Sequence, residues 1–320
     1  MRLVLYLLLF ILWPFPSATA GTPSTTNDSW LSTEAQRPGV PGELEMNWKG
    51  KQYVTPGKAE RSRIVQAVNQ ILDILDKPDS ATILAAAALL NGTGFRFSEY
   101  KGPEGHWLIL EAIHPNAGAG YYLFRTGPLE KEIVLQAPHA VFDKHTDVIT
   151  KDIFAHYSYR AAFFGDWLRY GDLGTQPYED SPYDLAHNPD TLYQDISTLW
   201  LKRKPTSVFV QLHGFDEQKI PESKADFIVS SGSRRELPVW FENFVPAFSA
   251  SLPEFPVRDF PAKIKVLGGT TNVQGKLIRK SGGRFLHIEI SLRLRERMKR
   301  EETTCRIFGK TLFENLPGKN

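Results

Sequence analysis

Ser207-Val208-Phe209-Val210-Gln211-Leu212-His213-Gly214-Phe215 is a run rich in β-branched and aromatic residues that ends on a histidine and a glycine. Residues 207–212 read as a strand. Two other stretches follow the same plan. Ile133-Val134-Leu135 is a short apolar strand running into Ala137-Pro138-His139, and residues 284–290 form a strand that carries His287 and Glu289. Around these strands the hydrophobic period changes. Ile153, Tyr157, Ala161 and Phe164 recur at helical spacing and predict a helix over 150–170. Further helices are expected over 191–201 and 240–252, with a basic one starting at Leu292. Phe227-Ile228-Val229 and residues 263–267 read as two more strands. Strands alternating with helices imply an α/β fold, a mixed central sheet with helices on both faces.

The front of the chain reads differently. Ile64, Val68, Ile71, Leu72 and Leu75 give a helical pattern within 59–90, broken by Pro78, with Asp79 or Ser80 placed to cap a second helix. Residues 106–113 and 120–125 look like two short strands. Residues 58–128 are therefore expected to be a small N-terminal α+β extension packed on the main α/β domain, 129–320. Residues 21–57, rich in Thr, Ser, Pro and Gly, read as a flexible arm.

At the start, Arg2 precedes an apolar run of 11 residues, Leu3 to Trp13, followed by Pro14, Pro16 and Ala18-Thr19-Ala20. A basic segment, an apolar segment too short to span a bilayer and a small-x-small site predict a cleaved signal peptide over 1–20. The mature chain is then expected to begin at Gly21, to carry no transmembrane segment and to be exported, periplasmic or secreted. The single cysteine, Cys305, excludes an internal disulfide and any Cys-rich zinc ribbon. A periplasm is compatible with this, because a large core can carry stability alone. The 320 residues hold 38 Lys+Arg against 36 Asp+Glu, so net charge gives no reason to expect nucleic acid as a partner.

In an open α/β sheet, ligands bind where the loops converge beyond the C-terminal strand ends. His139 follows one strand, with Asp143 four residues on and His145 as a competing ligand in the same loop. Imidazole and carboxylate both suit Zn²⁺ at about 2 Å, although a loop His and Asp also serve to hydrogen-bond local backbone. His213 caps a second strand, and Gly214 after it permits close backbone approach. In 284–290, alternation puts Ile288 and Ile290 on one face and His287 and Glu289 on the other. A carboxylate in so apolar a strand needs an arginine such as Arg284 or Arg293, or a nearby metal. His187, in Asp184-Leu185-Ala186-His187, and Asn272, in a Gly/Thr/Asn-rich turn, are candidate substrate contacts; each also has a plain structural reading. Arg293 is a candidate for a substrate carboxylate. No Gly-x-Ser-x-Gly elbow and no His-Glu-x-x-His helix occur in the sequence, which disfavours a serine hydrolase of that type and a zincin.

The order His139, Asp143, His213, Glu289 resembles the His–acid–His–Glu plan of zinc carboxypeptidases, N-formylglutamate amidohydrolases, phage poly-γ-glutamate hydrolases and zinc-dependent N-acetylmuramoyl-L-alanine amidases. The likeness covers roughly residues 130–300. It departs from the zinc carboxypeptidases in spacing, since those place a Glu three residues after the first His. The resemblance implies a phosphorylase/hydrolase-like α/β fold with one zinc per chain, held by His139, Asp143 and His213, and Glu289 as general base. It implies an exported hydrolase of an amide bond in a small peptide or acyl-amino-acid-like substrate. The alternative is a non-catalytic binding module of the cell envelope using the same strand-end pocket.

Overall fold

The computed structural model of the chain describes residues 55–113, 120–169, 181–235 and 237–318. The expected leader and nearly all of the expected arm lie outside them. Among the described residues no helix is long and apolar enough to cross a membrane.

Helix α1 (Lys58–Ile74) opens where Gly57 N donates to Glu60 Oε2 at 2.6 Å, and it buries Ile64, Val68, Ile71 and Leu72. Helix α2 (Ser80–Leu89) is capped by Asp79, whose carboxylate accepts from Ala81 N and Thr82 N. Three strands follow as an antiparallel meander: β1 (Phe95–Gly102), β2 (Gly105–Ala112) and β3 (Tyr121–Arg125). Of these, β1 was not anticipated. Its second half, Ser98-Glu99-Tyr100-Lys101, shows no apolar alternation, and only Phe95 and Phe97 are buried.

The meander does not stand apart from the main sheet. β3 pairs antiparallel with β5 (Ala161–Phe164), giving one sheet of nine strands in the order β1-β2-β3-β5-β4-β6-β9-β7-β8. The middle four, β5, β4 (Ile133–Ala137), β6 (Val208–Phe215) and β9 (Arg284–Ser291), are parallel. β7 (Phe227–Ser230) runs antiparallel to β9, and β8 (Val257–Phe260) lies parallel to β7 at the edge. The sheet is therefore mixed. Helices α3 (Thr146–His156), α5 (Val239–Ser251), α7 (Leu292–Arg300) and α8 (Glu302–Asn315) cover one face. Helices α1, α2, α4 (Leu192–Arg203) and α6 (Val273–Lys280) cover the other.

Two expected elements are corrected. The helix read over 150–170 ends at His156, and Ala161 and Phe164 belong to β5. All four residues of β5 are buried, so the strand shows no polar alternation, and its apolar residues continue the helical spacing by coincidence. The strand read over 263–267 is absent, and the edge strand is β8 instead. Ile264 packs into a small cluster with Phe215, Ile228 and Phe260, while Val266 is exposed.

The chain reverses direction across the sheet at β4. From β4 it goes to β5 on one side, then crosses over through α4 to β6 on the other. A crevice at the strand ends is the usual consequence of such a reversal. On one face of the parallel strands, Leu135, Ala137, Val210, Leu212, Leu286, Ile288 and Ile290 make continuous core. On the other, Val134, Phe209 and Phe285 are core, and beyond them the same face turns polar.

Candidate metal centre

That polar patch is built by register. Gln136 pairs with Gln211 across β4 and β6, and Gln211 and His213 pair with His287 and Glu289 across β6 and β9. All five side chains are buried. Just past β4 the chain makes a helical turn, with Asp143 N donating to His139 O at 2.7 Å. A turn of that kind stacks residues four apart on one side, so His139 and Asp143 meet.

His139 Nδ1 lies 3.6 Å and His213 Nδ1 3.2 Å from the same oxygen, Asp143 Oδ2. Donors about 2 Å from a tetrahedral zinc are about 3.3 Å from one another, so this spacing suits the ion. The distal nitrogen of each ring is held from behind. His139 Nε2 lies 2.7 Å from Asp184 Oδ1, and His213 Nε2 lies 3.1 Å from Gln211 Oε1. His139 Nδ1 is buried and makes no hydrogen bond. Three donors of the right chemistry, one of them orphaned, fit a divalent cation. His145 is not among them; it sits in a left-handed conformation at the start of α3.

The electrostatics point the same way. Burial opposes the ionisation of Asp143, but the adjoining imidazoles of His139 and His213 hold it below the usual carboxylate range. Burial also opposes a charge on His139, but Asp143 and Asp184 outweigh it and raise the group. The two carboxylates that favour a proton there equally favour a cation. Burial carries His213 down to about 4, against the pull of Asp143. Burial pushes Glu289 up to about 8, with the Asp143 charge adding to it and Arg295 opposing. His287 is pushed well down, by burial first and then by His213.

Glu289 forms no salt bridge with Arg284 or Arg293; its Oε1 lies 3.6 Å from His287 Nε2. His287 was read only as a neighbour of Glu289. It is buried with an orphaned Nδ1, its ring centroid is 4.8 Å from that of His213, and it packs against the backbone of Gly269. A Cβ at Gly269 would come within 2.5 Å of that ring.

Each of the three candidate substrate contacts has partners within the protein. His187 bonds to Asp184 Oδ2 at 2.9 Å and to Thr271 Oγ1 at 3.0 Å, on the far side of the carboxylate that holds His139. Asn272 is buried and donates to Gln211 Oε1. Arg293 pairs with Asp226 at 2.7 Å.

Two residues that position the site went unassigned in the sequence. Asp184 is fully buried, bound by His139, His187, Arg169 and Ala186 N, and held well below the carboxylate range because those bonds outweigh its burial. Arg295, on α7, donates to Lys144 O, Phe215 O and Ile290 O, so one guanidinium ties together the ends of the segments that carry Asp143, His213 and Glu289. Gly214 leaves room for it, since a Cβ there would lie 2.3 Å from Arg295 Cζ.

No protein-family model matches the chain, and no curated protein does. Among solved structures, the chain is similar to an N-formylglutamate amidohydrolase from Ralstonia eutropha JMP134, at 15% identity over 59% of this chain and 95% of that one, TM-score 0.37. It is similar to a bacteriophage poly-γ-glutamate hydrolase at 10% identity, over 59% and 86% of the two chains, TM-score 0.36. It is also similar to a metallo-carboxypeptidase from Burkholderia cenocepacia at 12% identity, over 75% and 70%, TM-score 0.41. These are three of the kinds of protein to which the residue order was likened.

Proposed function

We propose that this chain is an exported, zinc-dependent hydrolase of amide bonds in small peptides or acylated amino acids. The observation that carries the reading is the convergence of His139 Nδ1, His213 Nδ1 and Asp143 Oδ2 on one buried point at the reversal of the sheet, next to a buried glutamate. His139, Asp143 and His213 would hold the metal. Zn²⁺ there would supply a Lewis acid for the scissile carbonyl, lower the pKa of water, and place beside Glu289 a positive charge that opposes the upward shift from Asp143.

Glu289 is the general base. It accepts a proton from the attacking water and passes it to the departing amine nitrogen as the C–N bond breaks. Its burial excludes competing bulk water. Asp184 and Gln211 orient the two imidazoles from behind. Arg295 keeps the three site-bearing segments in register.

The test is zinc content together with hydrolysis. The mature protein, beginning at Gly21 by intact mass, should bind one zinc and cleave γ-glutamyl peptides, N-acylated amino acids or peptidoglycan fragments. A protein that takes up no zinc and cleaves none of these is the envelope-binding module instead.

A further inference from the structure

A buried row of amides sits behind His213, and its polarity can be worked out from its two ends. At one end Gln274 Nε2 is 2.7 Å from Leu185 O, a backbone carbonyl that only accepts. Gln274 must therefore turn its Nε2 to Leu185 and its Oε1 to Gln211, whose Nε2 is 3.2 Å away. At the other end Ser197 Oγ gives its one proton to Tyr193 O at 2.8 Å. It must then accept from Gln136 Nε2, at 3.0 Å, which turns Gln136 Oε1 towards Gln211 Nε2 at 3.2 Å. Both hydrogens of Gln211 Nε2 are thus spoken for, and its Oε1 faces the site. Asn272 Nδ2 donates to that oxygen, and His213 Nε2 lies 3.1 Å from it. An oxygen can only accept, so the hydrogen belongs on Nε2.

We infer that Gln211 is a positioning residue that locks His213 in the tautomer with its hydrogen on Nε2. The lock rests on two backbone carbonyls, Leu185 O and Tyr193 O, relayed through Gln274 and through Ser197 and Gln136. It leaves a lone pair on His213 Nδ1 facing Asp143 Oδ2 at 3.2 Å with no hydrogen between them. Two acceptors at that distance repel unless a cation lies between, so the relay prepares the pair to coordinate. Without Gln211 the neutral ring would gain by moving its hydrogen to Nδ1 and donating to Asp143, and a metal would first have to displace it.

The inference rests on the proposed metal site, but its first readout needs neither metal nor activity. In metal-free protein with 15N-labelled histidine, long-range proton–nitrogen correlations at neutral pH should show His213 with hydrogen on Nε2. Gln211→Met should move it to Nδ1 and weaken zinc binding by about 10- to 100-fold. If Gln211→Met does not fold, the double variant Ser197→Ala with Gln274→Met keeps Gln211, removes both anchors and should show a mixture of tautomers. Wild-type protein with hydrogen on Nδ1, or either variant with an unchanged tautomer, would overturn the inference. Should the tautomers behave as expected while wild-type protein binds no zinc, the hydrolase reading fails and the role of Gln211 stands.

Discussion

His213 and Glu289 are direct partners across the parallel strands β6 and β9, so their side chains leave the same face of the sheet side by side. A candidate ligand and a candidate base are thereby placed by backbone register alone, and no loop has to close to bring them together. Glu289→Gln keeps the size of the side chain and removes its proton transfer. Turnover should fall by about two to four powers of ten with one zinc still bound. The check is steady-state kinetics together with metal analysis; loss of zinc along with activity would show Glu289 to be a ligand.

In the proposed site Asp184 would act on a metal through His139, whose Nε2 it holds. Replacing it by Asn leaves an acceptor near Nε2 but removes the negative charge that favours a cation on the ring. Zinc affinity should fall by about 10- to 100-fold, read by competition with a chromophoric chelator. An unchanged affinity would mean that His139 does not bind metal.

Gly214→Ala pushes a Cβ into the guanidinium of Arg295. The displaced group would leave Lys144 O, Phe215 O and Ile290 O without their donor. A loss of about 1–3 kcal/mol is expected in urea unfolding, as for other overpacked sites. Turnover should fall as well, because all three segments loosen next to site residues. Destabilisation with full turnover in the folded fraction would argue against that coupling.

Asp166 gives a pH-dependent prediction away from the metal. It accepts from Gly120 N at 2.8 Å, and burial raises it to about 6. The folded protein therefore holds this proton more tightly than the unfolded chain. The resulting penalty is absent below about pH 4, grows as pH rises to about 6, and is constant above that. Asp166→Asn should stabilise the protein above pH 6 by about 1 kcal/mol, a value held down by the partial exposure of the residue. The gain should vanish at about pH 4. Urea midpoints at the two pH values decide it.

Saturating zinc should protect the folded state, since the ligands come from segments that only folding brings together. At a free concentration one hundred times Kd the gain is about 2.7 kcal/mol, and a chelator should reverse it in a thermal melt. Equal melting with and without chelator would remove the metal site.

Much of this was open to reading along the chain. The apolar runs of β4, β6 and β9, and the polar residues at their ends, needed only local pattern: His139, His213 and Glu289 interrupt sequences that otherwise belong inside a sheet. Asp143 followed from its spacing to His139. Strand alternation alone put His287 and Glu289 on one face. Period assigned β5 to a helix, because a strand buried on both faces carries no alternation to detect. What only the tertiary structure decided is which group stands behind each histidine. Asp184 meets His139 from 45 residues away. Gln274 reaches Gln211 from 63 residues away and Leu185 from 89. Hydrophobic period records whether a side chain faces core or water. It carries no record of which distant donor will satisfy a buried acceptor, and that pairing is settled only when the strands take their register and the crossing helices close over them.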